Sequence, residues 1–193
     1  MGAIEEKIID VTIACLEEFG VRGTTIRKIS ELAGINSAAV NYYFRSKSAL
    51  IDRVMAITLD NAFRWEDFRY TEEWPLRAQL LEILCHLAAG AVKFPRISQA
   101  HFYEMFVNNN YDSPALTRMT VFLDRMLAEI LRKRRGLEEP EARRLLIQLI
   151  SSVLLYYAAF PGLFDAFAGA DMRAPAGQRA YVESVVDALF PDE

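Results

Sequence analysis

Two cysteines and two histidines in 193 residues leave little material for metal or redox chemistry. Cys15 and Cys85 each sit in an apolar helical pattern with no second cysteine or histidine at ligand spacing, so they are expected as small buried hydrophobes in a reducing cytoplasm. His86 adjoins Cys85, but adjacent helical residues point about 100° apart and make a poor ligand pair. Long uncharged apolar runs are also missing. The longest, Leu145 to Phe160, is interrupted by Gln148, Ser151 and Ser152, which argues against a helical membrane span of about 18 residues or more. The opening MGAIEEK lacks a basic n-region and an apolar h-region, so no secretory leader is expected. Glu5 and Glu6 follow Gly2 where a myristoylation motif wants serine or threonine nearby. Strand-like alternation never extends beyond a few residues, and neither an internal repeat nor a low-complexity tract is visible. A net basic charge is absent too, the formal value being −4, which argues against a general nucleic-acid coat.

Just over half the residues, 52%, are hydrophobic, enough to bury a core in one generous domain or two small ones. The charge is distributed unevenly. Between Gly20 and Thr58, Arg22, Arg27, Lys28, Arg45, Lys47 and Arg53 face only Glu31 and Asp52, a local +4 that leaves −8 for the rest. A basic N-terminal segment on an acidic body suits a protein that touches phosphate with one end.

Apolar spacing predicts helices almost throughout. The first runs from Ile4 to Phe19 and is stopped by Gly20 and Gly23. Thr24 or Thr25 caps a second, to about Ala33, with Ile26, Ile29 and Leu32 on its apolar side. Gly34 is placed for a left-handed turn. Asn36 or Ser37 caps a third, ending near Phe44, and Ser46 starts a fourth that runs toward Trp65. TEEWP reads as a connection because a proline disfavours helix just before it. Further helices are predicted over Leu76 to Phe94, Ile97 to Val107, Ser113 to Arg135, Glu138 to Phe160 and Gly177 to Phe190, with a loop from Phe164 to Pro175. The expected fold is all-α, with about nine helices.

Residues 24 to 47, TTIRKISELAGINSAAVNYYFRSK, carry the chemistry. Two short helical patterns flank one glycine, as in a helix-turn-helix, with Ile29, Ser30, Leu32, Ile35 and Val40 small or apolar where the helices must pack. The second helix, from Ser37 to Tyr43, would enter a DNA major groove. Ser37, Ala38, Asn41 and Tyr42 lie on its outer side. Asn41 suits an adenine edge and with Ser37 carries most of the base reading, while Ala38 or Ala39 suits a thymine methyl. Tyr42, Tyr43 and Lys47 are within reach of phosphate. Arg27 adds a cation, and Thr25, Asn36 and Ser46 belong to helix starts whose amides favour anions.

The stretch FGVRGTTIRKISELAGINSAAVNYYFRSKSALIDRV resembles the N-terminal DNA-binding region of TetR-family transcriptional regulators. The matching features are Phe19-Gly20, Gly23-Thr24-Thr25, Ile29, Ala33-Gly34-Ile35, Val40, Tyr42-Tyr43-Phe44, Ser46-Lys47 and Leu50. Tyr43 departs from the histidine many members carry, yet keeps a polar-tipped aromatic. The likeness spans about 45 residues. It implies a three-helix DNA-binding domain over residues 1–48. Residues 49–193 would then form a domain that dimerises and receives a small effector, giving a cytoplasmic homodimeric repressor on a palindromic operator, with no catalytic activity and no cofactor. Apolar residues of the last two long helices, Leu149, Val153, Tyr157, Tyr181, Val185 and Leu189, are candidates for a four-helix dimer interface. Phe63, Trp65, His86, His101, Phe102, Met105, Phe106, Phe122, Met126 and Tyr156 are candidates for a pocket taking a hydrophobic or aromatic effector. His101 and Glu104 share a helical face, but no further ligand or nucleophile accompanies them, so a solvated or pocket-edge pair is the better reading. Two rival classes are a helical enzyme acting on an aromatic or acyl substrate, and an effector-independent protein that binds DNA or a partner.

Overall fold

A computed structural model describes residues 2–109, 112–168 and 172–191, leaving aside the side chains of residues 104–106, 108 and 161. It contains ten α-helices and no strand among the described residues. They are α1 (Ala3–Gly23), α2 (Ile26–Ala33), α3 (Ser37–Phe44), α4 (Lys47–Phe63), α5 (Leu76–Lys93), α6 (Pro95–Asn108), α7 (Pro114–Lys133), α8 (Glu139–Leu154), α9 (Pro161–Ala168) and α10 (Pro175–Leu189). A 3₁₀ turn over Trp65–Thr71 follows α4, and a π-helical turn over Leu155–Ala159 follows α8. Two compact units result, Met1–Asn61 and Ala62–Glu193.

In the first unit α1 packs on α2 and α2 on α3. The buried residues include Ile8, Cys15, Leu16, Ile29, Val40, Phe44, Leu50 and Val54. The expected stop at Gly20 is a kink instead. Gly20 has φ 66° and ψ 176°, and helical structure resumes as far as Gly23. The unit extends to Asn61 and so takes in most of α4, which the 48/49 division had assigned to the second domain. Leu32 also departs from expectation, since it is 59% exposed. Ile29, Ser30 and Ala33 form the buried face of α2, and Leu32 projects about 100° from the middle of that face.

The second unit is centred on α5, buried along Leu80, Leu81, Ile83, Leu84, Leu87, Ala88 and Ala91. It packs against α10, α8, α6 and α7. Arg77 on α5 makes a two-pronged ion pair with Asp187 on α10, at 2.6 and 3.1 Å. Ser113 caps α7, its Oγ accepting from the Leu116 amide at 3.3 Å, with Pro114 at the first helical position. The fourth helix stops at Phe63, short of Trp65, because Arg64 is extended. The 3₁₀ turn that follows is held by Thr71, which donates to the Phe68 carbonyl at 2.7 Å, and by Trp65 Nε1, which donates to Glu72 at 3.1 Å. The helix count exceeds the expected nine because α9 occupies part of the stretch read as a loop. A proline opens a helix readily, as first-turn amides have no intrahelical acceptor. Among the described residues no single helix is long and apolar enough to cross a membrane, and no group of three or more His, Cys, Asp or Glu side chains is placed to hold a metal ion.

Candidate nucleic-acid interface

Local chemistry fixes the helix-turn-helix. Thr25 caps α2, its hydroxyl accepting from the Lys28 amide at 3.2 Å. Thr24 is fully buried and holds the chain just before it, donating to the Cys15 and Gly20 carbonyls at 3.0 and 2.8 Å. Gly34 ends α2 in the left-handed conformation, φ 63° and ψ 35°. The amide of Ile35 then reaches back to the Ser30 carbonyl at 3.0 Å, the bonding that lets a helix stop within one residue. Asn36 is the cap of α3, accepting from the Ala38 amide at 2.8 Å.

Val40 and Phe44 anchor α3 inward. Asn41, Tyr42 and Tyr43 are exposed, Tyr42 at 81% and Tyr43 at 41%. Their rings meet edge to face with centroids 5.4 Å apart. Ala38 is exposed, while Ser37 and Ala39 are half-buried. The outer side of α3 therefore offers an amide, two phenols and small apolar contacts without long charged side chains. Arg27 is exposed and paired with Glu31 at 3.4 Å. Such a surface pair is weak enough to exchange for phosphate. Ser46 accepts from the Ala49 amide at 3.1 Å as α4 begins. Lys47 is engaged within the protein, its Nζ donating to the Val21 carbonyl at 2.7 Å. Lys28 behaves alike, donating to the Gly23 carbonyl at 3.1 Å while lying 3.8 Å from the centroid of the Phe19 ring. The structural parts of Thr24 and Lys28 were missed in the sequence, where one reads as an alternative cap and the other as a free cation.

The residues named for an effector fall in several places within the second unit. Phe63, Trp65 and Phe122 stack together with Phe68, at centroid distances between 5.5 and 6.4 Å. Phe122 and Met126 are enclosed. Phe102 is half-buried against the same core. His86 is exposed and lies edge-on to Phe68 at 5.1 Å. The side chains of Met105 and Phe106 lie outside the described residues, as does that of Glu104. Tyr156 is buried and donates to Asp165 at 2.9 Å; burial, and then that carboxylate, push its hydroxyl up to about 12. A feature not foreseen is a groove of about 360 Å³ between α7 and α8, lined by Met119, Leu123, Leu127, Leu146, Ile147 and Ile150 together with Asp124 and Arg143.

Burial holds the imidazole of His101 down from 6.5 to about 4. With the folded-state value depressed, its contribution to stability is complete above about pH 6.5 and is lost as pH falls toward 4, because the unfolded chain takes up the proton first. The loss is at most about 3 kcal/mol. Melting curves recorded from pH 7 to 4 are expected to drop less steeply for His101→Gln than for the parent. Parallel curves would show that His101 does not titrate in this way.

Of the residues named for pairing, Leu149, Val153 and Tyr157 are fully enclosed by their own chain. Helical spacing reveals that a residue is buried but not by what, and here the chain's own core accounts for these three. Tyr181, Val185 and Leu189 remain half-buried. Exposed apolar residues near these positions include Ile147, at 63%, and Leu155. The basic run at the end of α7 is not a free patch. Arg132 donates to the Glu72 carbonyl at 2.6 Å, Lys133 to the Trp74 carbonyl at 2.8 Å and Arg134 to the Pro191 carbonyl at 2.8 Å.

A short capped helix, held by its inner residues and offering an amide and two phenols outward, defines a DNA-binding helix-turn-helix protein of the all-α class. Residues 8–54 match the family model for bacterial regulatory proteins of the tetR family. The regulator RutR of Escherichia coli K12 is 29% identical over an alignment of 193 residues, covering 96% of this chain and 88% of RutR. The repressor KstR2 of Rhodococcus jostii RHA1 is 33% identical over 57 residues, 30% of this chain and 28% of KstR2. The crystal structure of a transcriptional regulator from Aquifex aeolicus VF5 shares the fold, with a TM-score of 0.66 at 15% identity over 97% of this chain and all of that one. The chain thus carries a tetR-family DNA-binding region over residues 8–54 and shares the fold of solved TetR-type transcriptional regulators along its length.

Proposed function

We propose that this regulator is a repressor that binds a palindromic operator as a homodimer and is released from it by a small hydrophobic or aromatic effector. The observation that carries the DNA part is the outward row of Asn41, Tyr42 and Tyr43 on a helix whose opposite face is anchored by Val40 and Phe44. Asn41 and Ser37 read base edges, Ala38 offers a methyl contact, and Tyr42, Tyr43, Thr25, Asn36, Ser46, Arg27 and Lys47 serve the phosphates around them. A helix this short spans too few base pairs alone, which favours a pair of subunits on two half-sites. Half-buried Tyr181, Val185 and Leu189 with exposed Ile147 and Leu155 supply apolar surface for that pairing. The aromatic residues of the second unit suit an apolar effector, and α4 is the covalent path by which its binding reaches the recognition helix. The effector acts only if it binds the DNA-incompetent state more tightly.

Selection of bound duplexes from random DNA tests the reading. A pseudo-palindrome with half-sites about one helical turn apart is expected. Asn41→Ala should lose about 1–3 kcal/mol of discrimination at one base position in each half-site. Equal weakening on every sequence would remove Asn41 from base reading, and no enriched sequence at all would overturn the proposal.

A further inference from the structure

The chain turns from α3 into α4 through a single residue, Arg45, whose backbone lies at φ 62° and ψ −36°. The Ser46 amide donates across it to the Phe44 carbonyl at 2.6 Å. This is a γ-turn of the positive-φ kind, which is rare and strained. The turn itself has an evident purpose, since it starts α4 one residue after α3 ends. Its occupant does not. Glycine adopts positive φ without penalty, whereas an L side chain meets the neighbouring carbonyl there. Among the described residues the other non-glycine with positive φ is Asn109, of the type that tolerates such a backbone. A bulky cation in this position calls for a reason outside the backbone, and strain of this kind gathers at functional sites.

The surroundings supply that reason. Arg45 is exposed and lies two residues after Tyr43, the last of the outward residues Asn41, Tyr42 and Tyr43. Lys28 and Lys47 already donate to the Gly23 and Val21 carbonyls, and Arg27 faces Glu31. Among the described residues Arg45 has neither an ion-pair partner nor a side-chain hydrogen bond. We infer that Arg45 is a phosphate-binding residue of the recognition element, its guanidinium fixed at the end of α3 by a backbone that glycine would hold more comfortably. The inference rests on the DNA-binding reading above.

Arg45→Gly removes the charge and relieves the backbone, so it should separate binding from stability. Its melting temperature should equal or exceed that of the parent. Its affinity for the selected duplex should fall about fivefold per contact near 0.15 M salt, with the slope of log K against log salt reduced by about 0.9 for each arginine lost. The loss should be the same on matched and mismatched duplexes, since phosphates carry no sequence. Arg45→Lys should keep most of the salt slope. An Arg45→Gly protein with parental affinity and slope overturns the assignment while the DNA reading stands. A parent that binds no duplex overturns both.

Discussion

Phe122→Ala is expected to destabilise the second unit by about 3–5 kcal/mol, the usual cost of emptying an aromatic core position, lowering its melting temperature by about 10 °C. Phe122 is 1% exposed. Its ring meets Phe63 at 5.5 Å, Trp65 at 5.8 Å and Phe68 at 5.9 Å between centroids. All three contacts are edge-on or tilted arrangements, the geometry in which aromatic pairs add to their area burial. The void left by alanine has aromatic rings on three sides, and the one polar atom of those rings, Trp65 Nε1, is already bonded to Glu72, so it should stay dry and take up a small aromatic molecule such as benzene, with partial recovery of stability. A loss below about 1.5 kcal/mol in a urea melt would show that the site relaxes around the change, or that the ring lines open space instead of filling the core. The same measurement bears on effector binding, because a residue that holds the core closed supports a binding site from behind and does not line it.

Gly20→Ala is expected to cost about 1–3 kcal/mol and to weaken DNA binding at least tenfold. Gly20 has φ 66° with an extended ψ of 176°, a backbone region open essentially to glycine alone. The turn it redirects, Val21 to Gly23, presents two carbonyls that receive the ammonium groups of Lys47 and Lys28, at 2.7 and 3.1 Å. Its own carbonyl accepts from the buried Thr24 hydroxyl at 2.8 Å. Moving this turn displaces the starts of α2 and α4 together, so stability and affinity should fall in parallel. Gly34→Asn provides the comparison. Its φ 63° and ψ 35° lie in the left-handed region that asparagine tolerates, and the loss should stay below about 1 kcal/mol. An unchanged melting temperature for Gly20→Ala would mean that the chain can straighten there at no cost.

What could be read from the residues alone depended on whether local chemistry decided the outcome. Thr25, Asn36 and Ser113 announce helix starts because a short polar side chain ahead of an apolar run has one obvious use. Gly34 announces a stop for the same kind of reason, and the outward set on α3 follows from 3.6-residue periodicity once the start is known. Leu32 was misjudged because a helix of eight residues offers too few positions to define the centre of its buried face. Pro161–Gly162 reads as a terminator, yet a proline also serves at a helix start, and tertiary packing decides between the two. Leu149, Val153 and Tyr157 read as apolar positions that could face a second subunit, and their own chain encloses them, since periodicity cannot tell a neighbour within the chain from one in another subunit. Arg45 was invisible as a special position because a backbone angle leaves no trace in residue identity when the occupant is not glycine.

The shortness of α3 has a consequence for addressing. Eight residues rise about 12 Å, which matches the roughly 12 Å width of the major groove and brings about four base pairs within reach. Four fully determined pairs carry about eight bits, while picking one location from about a million competing positions takes about twenty. In the proposed homodimer two such helices supply about sixteen at best. The missing few bits must come from the interval between the half-sites and from how easily the untouched central pairs bend and twist, so bases that no side chain meets become part of the address.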